Sequence, residues 1–171
     1  MNKKFLFLVF LLSFLNTNLY AKDLTNRLGF GYSDQFSIDL PSVMAMYYPN
    51  PDTGLSAALG VNTEDDASKF GLSFKYYKII FPEDNMNFYM GGVLALVSNE
   101  TNSGSGTTTN SGYELGGFIG AEYFLQGLES LGFRFEAGLG IVSQDSGVVF
   151  RTLGQHPLKA GMIFYCEAIN L

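Results

Sequence analysis

His156 is the one imidazole in the sequence, so any acyl-hydrolase chemistry would run through it. Such chemistry needs a nucleophile, a base and an acidic residue that orients the base. Ser143 or Ser146 with Asp145 could complete the set, and a barrel lipase or lipid A deacylase would place it at a membrane edge. The spacing is not specific, because any Ser-rich loop offers these residue types. The sequence therefore predicts no catalytic residue and reads His156 as an exposed loop side chain. Asn62-Thr63-Glu64-Asp65-Asp66 supplies hard oxygen ligands but lacks the spacing of a calcium loop. It reads as a solvated acidic loop, with lipopolysaccharide bridged by divalent ions as the sharper alternative. Cys166 is the single cysteine. It has no internal disulfide partner and reads as a small apolar residue near the end of the last strand. No metal or cofactor is predicted.

A second set of ionisable residues stands inside stretches that are otherwise apolar or small. Arg27, Lys69, Lys75, Arg134 and Lys159 supply positive charge there, and Glu114, Glu122 and Glu136 supply negative charge. Each shares its alternation with glycine, serine or tyrosine, while the opposite alternation is apolar. Phe70, Leu72, Phe74 and Tyr76 alternate with Lys69, Gly71, Ser73, Lys75 and Tyr77. Tyr113, Leu115, Ile119, Ala121 and Tyr123 oppose Glu114, Gly116, Phe118, Gly120 and Glu122. Phe133, Phe135, Ala137, Leu139 and Ile141 oppose Arg134, Glu136, Gly138 and Gly140. Period two is the strand period. From Arg27 to Tyr165 there are about eight such stretches. The expectation is an all-β fold: an eight-stranded antiparallel up-and-down transmembrane β-barrel. Its lumen would be filled by side chains, and charges inside it must be compensated. A lumen network of Arg27, Lys75, Glu114, Glu122, Arg134, Glu136 and Lys159 is expected, with the glutamates paired to the cations.

The links between strands alternate in character. Pro49–Gly54, Phe81–Asn85 and Gln126–Gly132 are tight, and the first two are rich in turn formers. Ser33–Ser42, Asn62–Ser68, Ser98–Gly112 and Ser143–Pro157 are longer or more polar. Outer-membrane barrels have short periplasmic turns and longer outer loops. Ser98–Gly112 is low in complexity and is expected to be a flexible loop. Tyr47, Tyr48, Tyr76, Tyr77, Phe81 and Phe88 are expected to form an interfacial girdle at the periplasmic ends.

The first 21 residues differ from everything after them. A basic start at Lys3-Lys4 precedes an apolar run, Phe5–Leu15, and a segment ending Leu19-Tyr20-Ala21. They read as a cleaved signal peptide, residues 1–21, followed by one barrel domain over 22–171. Without that signal the chain keeps eight basic against sixteen acidic residues. So acidic a chain has no footprint for nucleic acid.

On these residues the chain resembles the small outer-membrane barrels of the OmpA/OmpX type. Gly117-Phe118-Ile119-Gly120-Ala121-Glu122-Tyr123-Phe124 and Phe133-Arg134-Phe135-Glu136-Ala137-Gly138-Leu139-Gly140 resemble the last hairpins of many such barrels. The final strand resembles the signal read by the barrel-assembly machinery through Lys159, Gly161, Phe164 and Cys166. Cys166 stands where a bulky hydrophobic residue is usual, and Glu167–Leu171 trail beyond. The resemblance implies insertion in the outer membrane among lipid and lipopolysaccharide, and a closed interior. It implies no single activity. A monomer with a structural or surface-interaction role is the leading expectation. An outer-membrane lipid-modifying enzyme comes second and a narrow channel third. A periplasmic lipocalin-like binder of a small hydrophobic ligand is a further alternative, and it requires the opposite sidedness, with apolar residues inside.

Overall fold

The computed structural model describes residues 22–102, 106–144, 147–154 and 156–167. The predicted signal peptide, residues 1–21, lies outside them. Nine strands follow in order: β1 Arg27–Asp34, β2 Pro41–Asn50, β3 Thr53–Asn62, β4 Lys69–Glu83, β5 Met86–Asn102, β6 Thr107–Leu125, β7 Leu128–Gln144, β8 Gly147–Thr152 and β9 Lys159–Glu167. Consecutive strands from β1 to β7 pair antiparallel, β7 pairs with β9, and β9 pairs with β1. These eight strands form a closed antiparallel barrel. β8 pairs only with β7.

Among the links whose residues are all described, three contain two residues each: Pro51-Asp52, Asp84-Asn85 and Gln126-Gly127. They share one end of the barrel, the turn end, where β1 also begins and β9 ends. Gly127 has φ +84°, a backbone region that other residues enter at a steric cost. The opposite end is the loop end.

Following paired residues once around the wall measures its stagger. Phe133 pairs with Met162 and Met162 with Tyr32. The line continues through Val43, Leu59, Leu72, Leu96 and Tyr113 to Ser143. It returns to β7 ten residues above its start, from 133 to 143. Such a shear requires tilted strands and a narrow interior.

Two expectations are corrected at the loop end. Most of Ser98–Gly112 is not a free loop, because β5 runs to Asn102 and β6 starts at Thr107, paired from Asn102↔Thr107 downward. The threonines there favour extended backbone, a propensity masked by the low complexity. Nor is Ser143–Pro157 a plain loop, since β8 continues the line of β9 along β7. Thr152 faces Leu139 and Lys159 faces Glu136, so seven residues advance where β7 advances three. The surplus folds aside, and Leu153 turns into the interior.

Sidedness is strict. Val43 is 67% exposed and Ile119 63%, and large apolar residues point outward on all eight wall strands. The inward alternation holds Gly, Ser, Tyr and the buried charges, interspersed with apolar residues such as Met44, Met46, Val93, Val97, Phe118 and Ile163. This is the reverse of a ligand-enclosing barrel, so the lipocalin-like alternative does not hold. The girdle expectation is corrected in part. Tyr47, Tyr76, Phe81 and Phe88 face outward, but Tyr48 and Tyr77 are fully buried inside. Consecutive strand residues point to opposite faces, so neither Tyr-Tyr pair can lie on one face.

Candidate functional site

The lumen buries Lys75, Glu114, Glu122, Arg134, Glu136 and Lys159. In its lower and middle part Glu136 and Arg134, two apart on β7, share one face. Lys75 of β4 places Nζ 2.5 Å from Glu136 Oε2. Arg134 Nη2 lies 3.4 Å from Glu136 Oε1. The Tyr89 hydroxyl donates to Glu136 Oε1 at 3.1 Å and accepts from Arg134 Nε at 3.2 Å. The guanidinium stacks 4.2 Å from the Tyr77 ring centroid and 4.6 Å from that of Tyr89. Desolvated contacts of this kind contribute about 2 kcal/mol each. Met46 Sδ accepts from Arg134 Nη1 at 2.9 Å. Glu122 is fully buried and accepts from Tyr48 at 3.0 Å and Tyr165 at 2.6 Å. It also faces Arg134 across the β6–β7 pair.

Higher up, Glu114 accepts from the Ser37 amide at 2.9 Å and from the Ser37 hydroxyl. Lys159 Nζ donates to the Gln35 carbonyl at 2.9 Å. These two charges thus bind the Gln35–Leu40 loop rather than a counter-charge. Of the expected network, the structure brings together Lys75, Arg134 and Glu136. Glu122 joins through tyrosine hydroxyls, and Glu114 and Lys159 serve the loop. Arg27 is not part of the network. It lies half-buried where β1 begins, and its charge acts on Asp23 and Glu129. The first strand residue is too low in the barrel to reach the centre. Lys69, at the loop end, donates to the Asp39 carbonyl at 3.0 Å.

Both mouths are filled. At the turn end Leu24 is buried, the Asn26 amide donates to the Tyr48 carbonyl at 2.8 Å, and Lys22 pairs with Glu129 at 2.6 Å. Thr25 donates to Asp23 through its amide at 2.8 Å and its hydroxyl at 2.5 Å. The hydroxyl bond, then the amide bond, hold the Asp23 carboxyl below the usual range. At the loop end Phe36 lies against Gly71 and Leu40 against Gly60. A Cβ on Gly71 would come within 2.7 Å of the Phe36 ring. Leu153 rests on Gly116, Gly138 and Gly140. A void of about 10 Å³ beside Arg134, Glu136 and Lys159 has room for about one water.

His156 and Pro157 are exposed in the surplus between β8 and β9, while Asp145 and Ser146 lie outside the described residues. The acidic run at Asn62–Asp66 reaches Thr107 through Asp66 Oδ1 at 2.9 Å. Among the described residues no cluster of His, Cys, Asp and Glu has the geometry of a metal site. On β9, Lys159 and Gly161 face inward, and Phe164 and Cys166 face outward, with Cys166 Sγ donating to the Leu28 carbonyl at 3.3 Å. The tyrosine, methionine and serine partners were missed in the sequence. Their signal was the inward alternation itself, which placed Tyr77 beside Lys75 on one face.

No family model matches the chain, and no curated protein does. Among solved structures it is similar to the N-terminal β-barrel domain of Pseudomonas aeruginosa OprF, at 16% identity and a TM-score of 0.54. The match covers 83% of this chain and 98% of that one. The likeness is one of fold.

Proposed function

We propose that this protein is an outer-membrane barrel with a structural or surface-interacting role, in which a closed lumen acts as an internal scaffold. The observation that carries the reading is the inversion of sidedness. Apolar side chains cover the outside of a closed barrel, while Lys75, Glu114, Glu122, Arg134, Glu136 and Lys159 are buried inside it. In water an outside of this kind would drive association. In a bilayer it is the required surface, and closure of the eight wall strands removes the edges that hydrocarbon cannot satisfy, leaving a free edge on β8 at the loop end. On β6, the stretch from Tyr113 to Tyr123 is eleven residues including both tyrosines, the length of a transmembrane strand.

The packed interior supports a scaffold rather than an aqueous pore. Neither the fit of the lumen nor the placement of His156 supports a catalytic role, so the working surface is the loop end. Lipid and lipopolysaccharide are the surrounding partners in this reading. The barrel-assembly machinery reads Lys159, Gly161, Phe164 and Cys166, and the barrel is a monomer exported by residues 1–21. Reconstitution in planar bilayers tests the closed lumen. Only leak-level current is expected, and a stable single-channel conductance would overturn the closed scaffold.

A further inference from the structure

The wall is not equally tall all round. The paired line that climbs from Phe133 to Ser143 rises ten residues in one circuit. At about 3.3 Å per residue and a tilt of about 40°, that is about 25 Å, the height of a barrel's apolar band. Tyr32 is the second step of eight along that line, and Val43 the third. Tyr32 and Val43 therefore sit roughly a quarter to two-fifths of the way up. They are the last large outward apolar residues of β1 and β2, and the hairpin ends just above them at Asp34↔Pro41. Strands β3 to β7 carry outward apolar residues much higher, at Val61, Phe70, Leu96, Tyr113 and Ile141. β8, on the other flank, has no strand on its second edge. The loop-end half of the wall is notched between β8 and β3, and Gln35–Leu40 fills the notch from within.

The residue types of this loop alternate, although its backbone bends over 36–39. Phe36, Ile38 and Leu40 turn toward Ala95 and Val97, forming an apolar cluster separate from the main one. It is latched by two buried charges, Glu114 on Ser37 and Lys159 on the Gln35 carbonyl. The latch is imperfect, because Gln35 Oε1 is buried without a hydrogen-bond partner, a cost the closed position carries.

We propose that Gln35–Leu40 is a lateral door at the depth of the outer leaflet, and that the slot it occupies takes a single acyl chain from that leaflet. The inference rests on the membrane reading above. What now fills the slot defines what fits it: the apolar side chains of Phe36, Ile38 and Leu40, packed against Gly60, Gly71, Ala95 and Val97. A lipid tail has the same width and chemistry, and the low hairpin lets it enter sideways without crossing the polar loop end.

The test is photolabelling in phosphatidylcholine vesicles whose acyl chains carry a diazirine, with labelled residues located by tandem mass spectrometry. Outward Leu94 and Leu96 report contact with the bilayer, and inward Ala95 and Val97 between and beyond them report the slot. With wild-type protein, labelling at Leu94 and Leu96 with a minor fraction at Ala95 and Val97 is expected. Glu114→Ala removes one of the two latching charges and should raise the inward labelling at least threefold. Ser37→Ala, which removes one of two donors and leaves Glu114 in place, should raise it less and covers the case in which Glu114→Ala fails to fold. Outward labelling with no inward labelling in any variant overturns the door and leaves the membrane reading standing. Inward labelling that ignores both substitutions overturns the latch. No labelling at Leu94 and Leu96 overturns the membrane reading itself.

Discussion

The lower and upper halves of the lumen are filled by different means. Below, the filling grows from the wall. Tyr48, Tyr77, Tyr89, Tyr165, Arg134, Glu122 and Glu136 all stand on barrel strands. Their positions are fixed by register, so the barrel cannot persist while they disperse. Above, the filling is brought in by connections: Phe36, Leu40 and Leu153 come from links and lie against glycines. Buried charge follows the same division. Glu136 meets cations and Glu122 meets hydroxyls, whereas Glu114 and Lys159 hold a loop. The lower half is structural by construction, and the upper half is a removable lining.

The largest test of this contrast is Arg134→Met. It leaves Glu136 with one cation and Glu122 with none opposite it. Removing one partner of a buried charge cluster costs about 3–5 kcal/mol, read as a lower denaturant midpoint for the reconstituted barrel. Next comes Tyr165→Phe, which takes one of the two hydroxyls from Glu122. A hydrogen bond to a charged group contributes about 1.5–3 kcal/mol, and the same unfolding assay should show it.

Phe36→Ala should cost less than the roughly 3–5 kcal/mol typical of a core phenylalanine, because the loop can move without breaking the wall. Amide exchange at 35–40 should speed up while β5 and β6 amides stay protected. Exchange that rises equally in both would erase the distinction. The smallest effect is at the turn-end mouth. Asp23 has its carboxyl held low by Thr25, so its contribution is present above the unfolded carboxylate range. It is lost as pH falls through the lowered folded value. Thr25 amide exchange should therefore accelerate only below about pH 4, and Asp23→Asn should make it independent of pH there.

The lower half was also the more legible half. Period two alone placed Lys75, Glu122, Arg134 and Glu136 on one face, because a strand's alternation is local. The glutamates' actual partners were not legible, since Tyr48 and Tyr165 approach Glu122 from strands far away in sequence. Tyr48 also had a competing reading as part of the interfacial girdle. The upper half was obscure for a different reason. Val148-Val149-Phe150 is a strand-like run, but Gly147 and Gly154 around it read as loop. Gln35–Leu40 carries a strand's alternation without a strand's pairing. Links that fold inward are set by the space the wall glycines leave, which appears only when the register is known.

The central claim is that the apolar face of this barrel meets lipid. Fractionation of expressing cells, followed by gels of boiled and unboiled samples, tests it most directly. The expected result is recovery in the outer-membrane fraction with a band whose mobility changes on boiling, as a folded barrel opens. Recovery as a soluble periplasmic protein with one mobility would contradict it.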